Sequence, residues 1–357
     1  MKKKHKLLKI LLCVLAALVL LVGAYVAYVF IAYHRLPDSQ TLEVRSAQTQ
    51  QAQTGVPYKL VSFNTGFGAY EADYGFFMDG GTQSWAWSKE RLLANMAAIT
   101  GFLQGEEADF YFLQEVDQHA TRTYHVNERE LMEQALPGYD SVYAVNYDSP
   151  FLFYPLTQPH GKTLAGIMTF SRARISSALR RSLPIEDSLM KLVDLDRCYS
   201  VSRVPVEGGK ELVLYNMHLS AYTSDGTIAN DQLRMLVDDM AAECEKGNYV
   251  VCGGDFNKDI LGDSSQYFGI SGQDYTWAQP LPADILEGKP LQLIAASNAP
   301  SCRVAEGPYT PDQFVLTIDG FIVSDNVEVL QNEVVDTGFA MSDHNPVRMT
   351  FILNNEE

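Results

Sequence analysis

The sequence predicts an α/β protein in which two packed sheets are flanked by helices, preceded by one N-terminal apolar helix. Three observations carry this. Short apolar runs with strand-like character recur between residues 58 and 353, helical periodicity interrupts them in a few places, and a hairpin signal sits among them. A hairpin makes neighbouring strands antiparallel, which a doubly wound parallel sheet does not require. Two sheets covered by helices accommodate both patterns.

The first element is the apolar helix. MKKKHK leads into residues 10–33, none of which is charged. At about 1.5 Å per residue this run spans about 36 Å, enough to cross a bilayer with some tilt. Residues 1–9 read as a basic cytoplasmic segment and 10–33 as a transmembrane signal anchor, because lysines favour the cytoplasmic side. A cleaved signal peptide is the alternative. The run is longer than a usual signal h-region and lacks a clean small-x-small site before the polar sequence. Residues 34–56, including TLEVRSAQTQQAQTG, are polar and are expected to form a flexible stalk. The globular domain is expected over 57–353. This arrangement implies a single-pass protein of the cell membrane with its domain outside.

Within the domain, Leu92, Leu93, Met96, Ile99 and Leu103 recur at helical spacing behind Ser88, a good N-cap, and predict a helix over 89–103. Leu233, Leu236, Val237 and Met240 predict a second over 229–245, and 128–136 is a shorter third. Strands are expected at 58–63, 109–114, 140–146, 164–170, 198–206, 211–217, 248–252, 315–323 and 347–353. EGGK separates the fifth and sixth of these and reads as their hairpin turn.

Composition narrows the function. The net charge is −17, with 27 basic against 44 acidic residues, which disfavours a dedicated nucleic-acid binder. Apolar residues at 46% suffice for a packed core. Cys13, Cys198, Cys244, Cys252 and Cys302 show no CxxC spacing, so a structural zinc site is not expected. Free, buried thiols are the reading, with one disulfide among the last four as the alternative.

Polar residues close several of the apolar runs: Asn64 in YKLVSFN, Glu115 in DFYFLQE, His218 in ELVLYNMH, Asp255 and Asn257 in YVVCGGDFN. Asp343 and His344 lie in SDHNPV, before the last strand. Ends of neighbouring strands lie close in space, so these side chains can form one cluster. Carboxylates, amides and imidazoles together hold a hard divalent cation and move protons. Each motif alone also has an ordinary structural reading, as a turn, a cap or an exposed strand end. Asp319 differs, because it interrupts the apolar run LTIDGFIVS, where a carboxylate is costly unless paired. His344 is the candidate partner. The aromatic segment 70–87 is a candidate substrate-facing or membrane-facing loop, with an insertion packed on the sandwich as the alternative, and 147–160 is a candidate to shape the cleft. Arg172 is either a phosphate contact or a solvated side chain.

In this order, Asn…QE…NMHL…GDFN…ID…SDH resembles the endonuclease/exonuclease/phosphatase superfamily over roughly residues 59–351. The resemblance implies a four-layer α/β sandwich and a Mg²⁺-dependent phosphoesterase, with Mn²⁺ or Ca²⁺ as alternative ions. It implies Glu115 as principal metal ligand with Asn64 beside it, where Asn64 also meets substrate, and Asp343 assisting. Asp255 would orient or deprotonate the attacking water, Asn257 would bind phosphate, and Asp319 and His344 would act as a pair. His218 resembles a second histidine found in the deoxyribonuclease and sphingomyelinase branches; its carboxylate partner is not evident in the sequence. The expected substrate is a phosphate ester (nucleic acid, phospholipid headgroup or small phosphoester), most readily a diester. A sphingomyelinase-like phospholipase, a phosphomonoesterase and a catalytically silent binding module on the same fold are the alternatives. The lipid bilayer is an expected partner through the N-terminal helix, and no obligate protein partner is expected.

Overall fold

The computed structural model describes residues 2–192, 195–221, 227–272, 275 and 277–355. The chain opens with α1 (Lys2–Ala32), two short strands β1 (Gln40–Thr41) and β2 (Val44–Arg45), and the long β3 (Pro57–Asn64). α2 (Lys89–Glu106), β4 (Phe110–Ala120), α3 (Glu128–Ala135), β5 (Asp140–Asp148) and β6 (Thr163–Ser171) follow. Then come β7 (Ser177–Ser182), β8 (Cys198–Pro205), β9 (Glu211–His218), α4 (Thr227–Cys244), β10 (Tyr249–Asp255) and the one-turn α5 (Ser265–Phe268). The last part holds β11 (Leu291–Ile294), β12 (Cys302–Arg303), β13 (Val315–Leu316), β14 (Asp319–Ser324), β15 (Val327–Val334) and β16 (Val347–Leu353).

Two seven-stranded sheets result, ordered β15-β16-β3-β4-β6-β5-β2 and β1-β7-β8-β9-β10-β14-β11. Each holds one parallel pair of named strands, β3–β4 in the first and β9–β10 in the second, and is otherwise antiparallel. A parallel pair needs a crossover, and α2 and α4 supply the two. β8 and β9 form the antiparallel hairpin foreseen from EGGK.

Alternation along the strands builds the layers. Leu60, Phe110 and Phe112 of one sheet meet Leu212, Leu214, Val251 and Phe321 of the other between the sheets. The opposite faces carry Val61, Phe63, Tyr111 and Leu113, which pack on Leu92, Met96, Ile99 and Leu103 of α2. Val213, Val250, Cys252 and Ile322 pack on Leu233, Leu236, Val237 and Met240 of α4. The order helices, sheet, sheet, helix is the four-layer sandwich. Each fully buried Leu or Phe contributes about 1.5–3 kcal/mol. Ser88 caps α2 by accepting from the Arg91 amide at 3.2 Å, and the helix runs past residue 103 to Glu106, where Glu107, left-handed at φ 49°, closes it.

Three differences from the sequence reading have local causes. The expected strand 315–323 is broken into β13 and β14, because Ser301 Oγ accepts from the Ile318 and Asp319 amides and draws the chain into a turn. Asp319 therefore begins a strand. Segment 34–56, expected as a flexible stalk, packs on the sandwich: β1 pairs with β7, β2 pairs with β5, and Ala52 is buried beside Val206. Its polar side chains face outward while its backbone groups find partners. β7, β11 and β15 were not foreseen, because SALRRS, LQLI and VEVLQNEV are too polar or too short to stand out.

α1 is one helix long and apolar enough to cross a membrane, a test that a signal sequence also passes. Near its C-terminal end, Tyr25 Oη donates to the Phe151 carbonyl at 3.1 Å and accepts from the Phe153 amide at 3.0 Å, and Tyr28 Oη accepts from the Phe151 amide at 3.0 Å. All five cysteines are free thiols, Cys198, Cys252 and Cys302 buried.

Candidate active site

The polar residues gather where the two sheets meet, at the carboxyl ends of their parallel strands. Asn64 ends β3, His218 ends β9 and Asp255 ends β10. Register completes the second sheet's share: Asp255 lies opposite His218 on one side and Asp319 on the other. β10 can approach β9 this closely because residue 254 is glycine. It has φ +141°, and a Cβ there would stand 2.0 Å from the Met217 carbonyl oxygen. Glu115 reaches the cleft through a bulge in β4 between Leu113 and Val116, with φ +55°, a conformation that a non-glycine residue adopts only when its surroundings enforce it. Ser342 Oγ donates to the Asn64 carbonyl at 2.8 Å and accepts from the His344 amide at 3.2 Å, which ties the SDH turn to β3.

A continuous network joins these groups. Asn64 Nδ2 lies 3.2 Å from Glu115 Oε1, 3.0 Å from Asp255 Oδ2 and 3.4 Å from His344 Nε2. One amide thus bridges the two sheets. Asp319 Oδ2 holds His344 Nδ1 at 2.8 Å and accepts from Ser301 Oγ at 2.7 Å. The partner assigned to Asp319 from sequence is the one found. Asp255 Oδ1 accepts from the Asn257 amide at 2.8 Å, and Asn257 Nδ2 donates to the Leu219 carbonyl at 2.8 Å. Asp255 Oδ2 is the carboxylate nearest His218, 3.5 Å from Nε2, and His218 Nδ1 is buried without a partner among the described residues.

Burial and like charge set the protonation states. Desolvation pushes Asp255 up to about 7, with Asp319 adding to the rise and His344 opposing it. Desolvation likewise lifts Asp343 to about 6, with Glu115 contributing and His344 opposing. Burial alone would neutralise His344, but Asp319, Cys302 and Asp255 together hold it well above the ordinary histidine range. His218 goes the other way: desolvation, then Arg197 and His344, keep it neutral. The site thus pairs a charged imidazole with a neutral one.

The cleft over this network has a volume of about 450 Å³, and Glu115, His218, Asp255, Asn257, Asp343 and His344 all line it. The sequence reading missed Arg197. Its guanidinium is buried in the cleft wall, and Nε and Nη1 have no partner among the described residues. No periodicity marks an arginine just before a strand, so sequence carried no signal. Ser301 and Ser342 were missed for the same reason. Arg172 lies elsewhere, its Nε donating to Tyr139 Oη at 2.7 Å. Segment 70–87 packs on the sandwich, with Tyr70, Tyr74 and Phe76 buried, while Phe77 and Met78 reach the cleft.

The donor set suits a hard divalent cation. Glu115, Asp255 and Asp343 line the cleft, and the values of Asp255 and Asp343 are raised first by burial and further by Asp319 and Glu115 respectively, a balance that a cation would offset. Asp319 Oδ1 is buried without a partner among the described residues. Asp255, Asp319 and His344 bring potential ligand atoms within 4.8 Å of one another. In that group Asp319 and His344 already bond each other; outside it, Glu115 Oε1 lies 3.2 Å from Asn64 Nδ2 and Asp343 Oδ1 accepts from Ser342 Oγ at 3.2 Å.

The sequence profile of the Endonuclease/Exonuclease/phosphatase family matches residues 61–344. Among solved structures, an endonuclease/exonuclease/phosphatase from Beutenbergia cavernae superposes with a TM-score of 0.60 at 18% identity, covering 84% of this chain and 72% of that one. ANGEL2, a 2′,3′-cyclic phosphatase, superposes at 0.56 and 16% identity, covering 90% and 100%. A Bacteroides vulgatus endonuclease/exonuclease/phosphatase gives 0.52 at 16%, covering 84% and 100%. No curated protein matches the chain in sequence.

Proposed function

Because the chain belongs to the endonuclease/exonuclease/phosphatase family of phosphoester hydrolases, we propose that it is a membrane-anchored, Mg²⁺-dependent phosphodiesterase whose domain faces outward. The observation that carries this reading is the single network from Glu115 through Asn64 to Asp255, His344 and Asp319 across the floor of a cleft.

Glu115 and Asp343 are the carboxylates that would hold the ion, with Asn64 beside them. The ion's contribution is to neutralise phosphoryl oxygens and the leaving oxygen. Asp255, poised near neutrality, accepts a proton from the attacking water, and the Asn257 and Asn64 amides fix its two oxygens in place. His344, kept protonated by Asp319, donates to a phosphoryl oxygen as negative charge develops there. Asn257 has one N–H committed to the Leu219 carbonyl, which sets its plane and leaves the other for a phosphate oxygen. Neutral His218 lies within reach of the same groups and suits hydrogen bonding to the leaving oxygen. Arg197, whose Nε and Nη1 have no partner among the described residues, offers donors to an anionic substrate.

The test is hydrolysis of bis(p-nitrophenyl) phosphate with Mg²⁺ or EDTA, beside thermal unfolding in both. The wild type should turn over only with metal and unfold at higher temperature when it is present. Glu115→Gln should lose both properties, with turnover down by about 10²-fold or more. A folded wild type inert on diesters and monoesters alike would favour the silent binding module instead.

A further inference from the structure

The structure places the apolar end of α1 at the mouth of the catalytic cleft. Tyr25 itself lines the cleft, and Tyr25 and Tyr28 hold the backbone of Phe151 and Phe153 by three hydrogen bonds. The ring of Phe153 meets Tyr25 edge-on at 5.7 Å. Just beyond the helix, His34 pairs with Asp148 at 3.3 Å, and Arg35 pairs with Asp196 at 3.2 Å and donates to the Leu183 carbonyl. The helix end is therefore clamped to both sides of the cleft mouth.

Depth follows from counting. Tyr25 lies sixteen positions, and Tyr28 nineteen, beyond Lys9, the last charge before the apolar run. At ~1.5 Å per residue these rises are roughly 24 and 28 Å, approaching the ~30 Å of a hydrocarbon core. A membrane-spanning α1 thus sets Tyr25 and Tyr28 at the far boundary of the core, where interfacial tyrosines reside. Whatever binds their hydroxyls is drawn to the same depth. The rim beside them is built for that place. Leu156 is 81% exposed, Leu189 73%, Tyr154 68%, Phe153 53% and Met78 52%, all on segments whose neighbours line the cleft. Contiguous exposed apolar side chains are unusual on a surface that meets only water.

We propose that this rim inserts into the outer leaflet of the membrane that holds α1, and that the substrate is a phosphodiester carried by a lipid of that leaflet. The inference rests on the phosphodiesterase and membrane-anchor readings and deepens them. An apolar rim continuous with the anchor leaves no layer of water between cleft and bilayer, so a headgroup enters from the membrane side. Attack joins the water oxygen to phosphorus and breaks one ester phosphorus–oxygen bond. The proton lost by water goes to Asp255, and the departing alcohol oxygen takes up a proton in turn.

The full chain, reconstituted with Mg²⁺ into vesicles of phosphatidylcholine, phosphatidylethanolamine, phosphatidylglycerol and sphingomyelin, tests this. Phosphorus NMR of the lipid should show diester loss. A Leu156→Asp/Leu189→Asp double variant should slow that loss by about tenfold or more while leaving bis(p-nitrophenyl) phosphate turnover within about twofold. Hydrolysis of the soluble diester without hydrolysis of any vesicle lipid would overturn the lipid assignment and leave the phosphodiesterase reading standing. So would an equal effect of the double variant on both substrates. Insertion is read separately from catalysis. Tryptophan in Leu156→Trp should be quenched by brominated acyl chains, and tryptophan in Leu330→Trp, exposed on β15, should not. An unquenched Leu156→Trp overturns rim insertion even if no substrate is turned over.

Discussion

Asp319→Asn is the sharpest probe of the catalytic floor. The carboxylate touches His344 Nδ1 at 2.8 Å and Ser301 Oγ at 2.7 Å, and an amide of the same size can still accept from both, so the turn before β14 should survive. What disappears is charge. Two opposite charges about 4 Å apart at an effective dielectric near 20 attract by about 4 kcal/mol. Both side chains are almost wholly buried, so solvent screening takes little from this. At about 1.4 kcal/mol per factor of ten, the charged form of His344 becomes rarer by up to roughly 10³-fold. If the charged imidazole is the donor to the phosphoryl oxygen, kcat at pH 7 should fall by about 10²–10³-fold with KM little changed. Nitrogen NMR of the imidazole should read charged in the wild type and neutral in the variant. Stability should follow in a defined direction. A raised folded-state value for His344 means that the pair stabilises at low pH and that this contribution fades as pH climbs through that value. The unfolding curves of wild type and variant should therefore converge at high pH. A variant within about threefold of wild type in kcat, with its imidazole still charged at pH 7, would refute the reasoning.

Asp255 follows the same pH direction, but here it is the charged wild-type side chain that destabilises the native state. Its value rises from 3.8 to about 7 on folding, so the protonated form favours the native state, and the benefit present near pH 4 is lost as pH rises through about 7. In EDTA, Asp255→Asn should match the wild type near pH 4 and exceed it by about 1–4 kcal/mol at pH 8, read by urea unfolding, and with Mg²⁺ restored it should show no turnover. Gly254→Ala must push a methyl group into the Met217 carbonyl from a φ of +141°. It should cost about 3 kcal/mol or more in chemical unfolding and disorder His218 along with Asp255. Arg197→Met, which keeps the length but not the charge, should raise KM for an anionic diester about tenfold or more with thermal stability unchanged or improved, because it removes a buried cation whose Nε and Nη1 lack partners. Together with loss of metal response in Glu115→Gln, these variants separate charge, ion and backbone contributions.

Legibility in the sequence tracked the size of the physical signal. α2 and α4 were plain because four or five large apolar residues recur on one face of each. Asn64, His218 and Asp255 were plain because each ends a long apolar run, and the pairing of Asp319 with His344 followed from the cost of an isolated buried carboxylate. Glu115 was visible, but the bulge that aims it was not, since a single left-handed residue leaves no compositional trace. Arg197, Ser301 and Ser342 act through contacts between distant segments, which no local window contains. Segment 34–56 was misread because outward polar side chains suggest a tether, whereas its structure is decided by backbone pairing with strands over 90 residues away.

That pairing makes the leader of the domain a seam-sealer. β1 lies along β7 at one end of the second sheet, and β2 lies along β5 at one end of the first, so the six residues 40–45 shield an edge on each half of the sandwich. Bare strand edges recruit other chains. On the membrane-anchor reading, cleavage before this segment, near residue 37, releases a domain that keeps both edges covered. Cleavage at about residue 56 uncovers both at once and should favour self-association. For an anchored chain, the site of a cut within some twenty residues would therefore set whether the freed domain keeps its edges sealed.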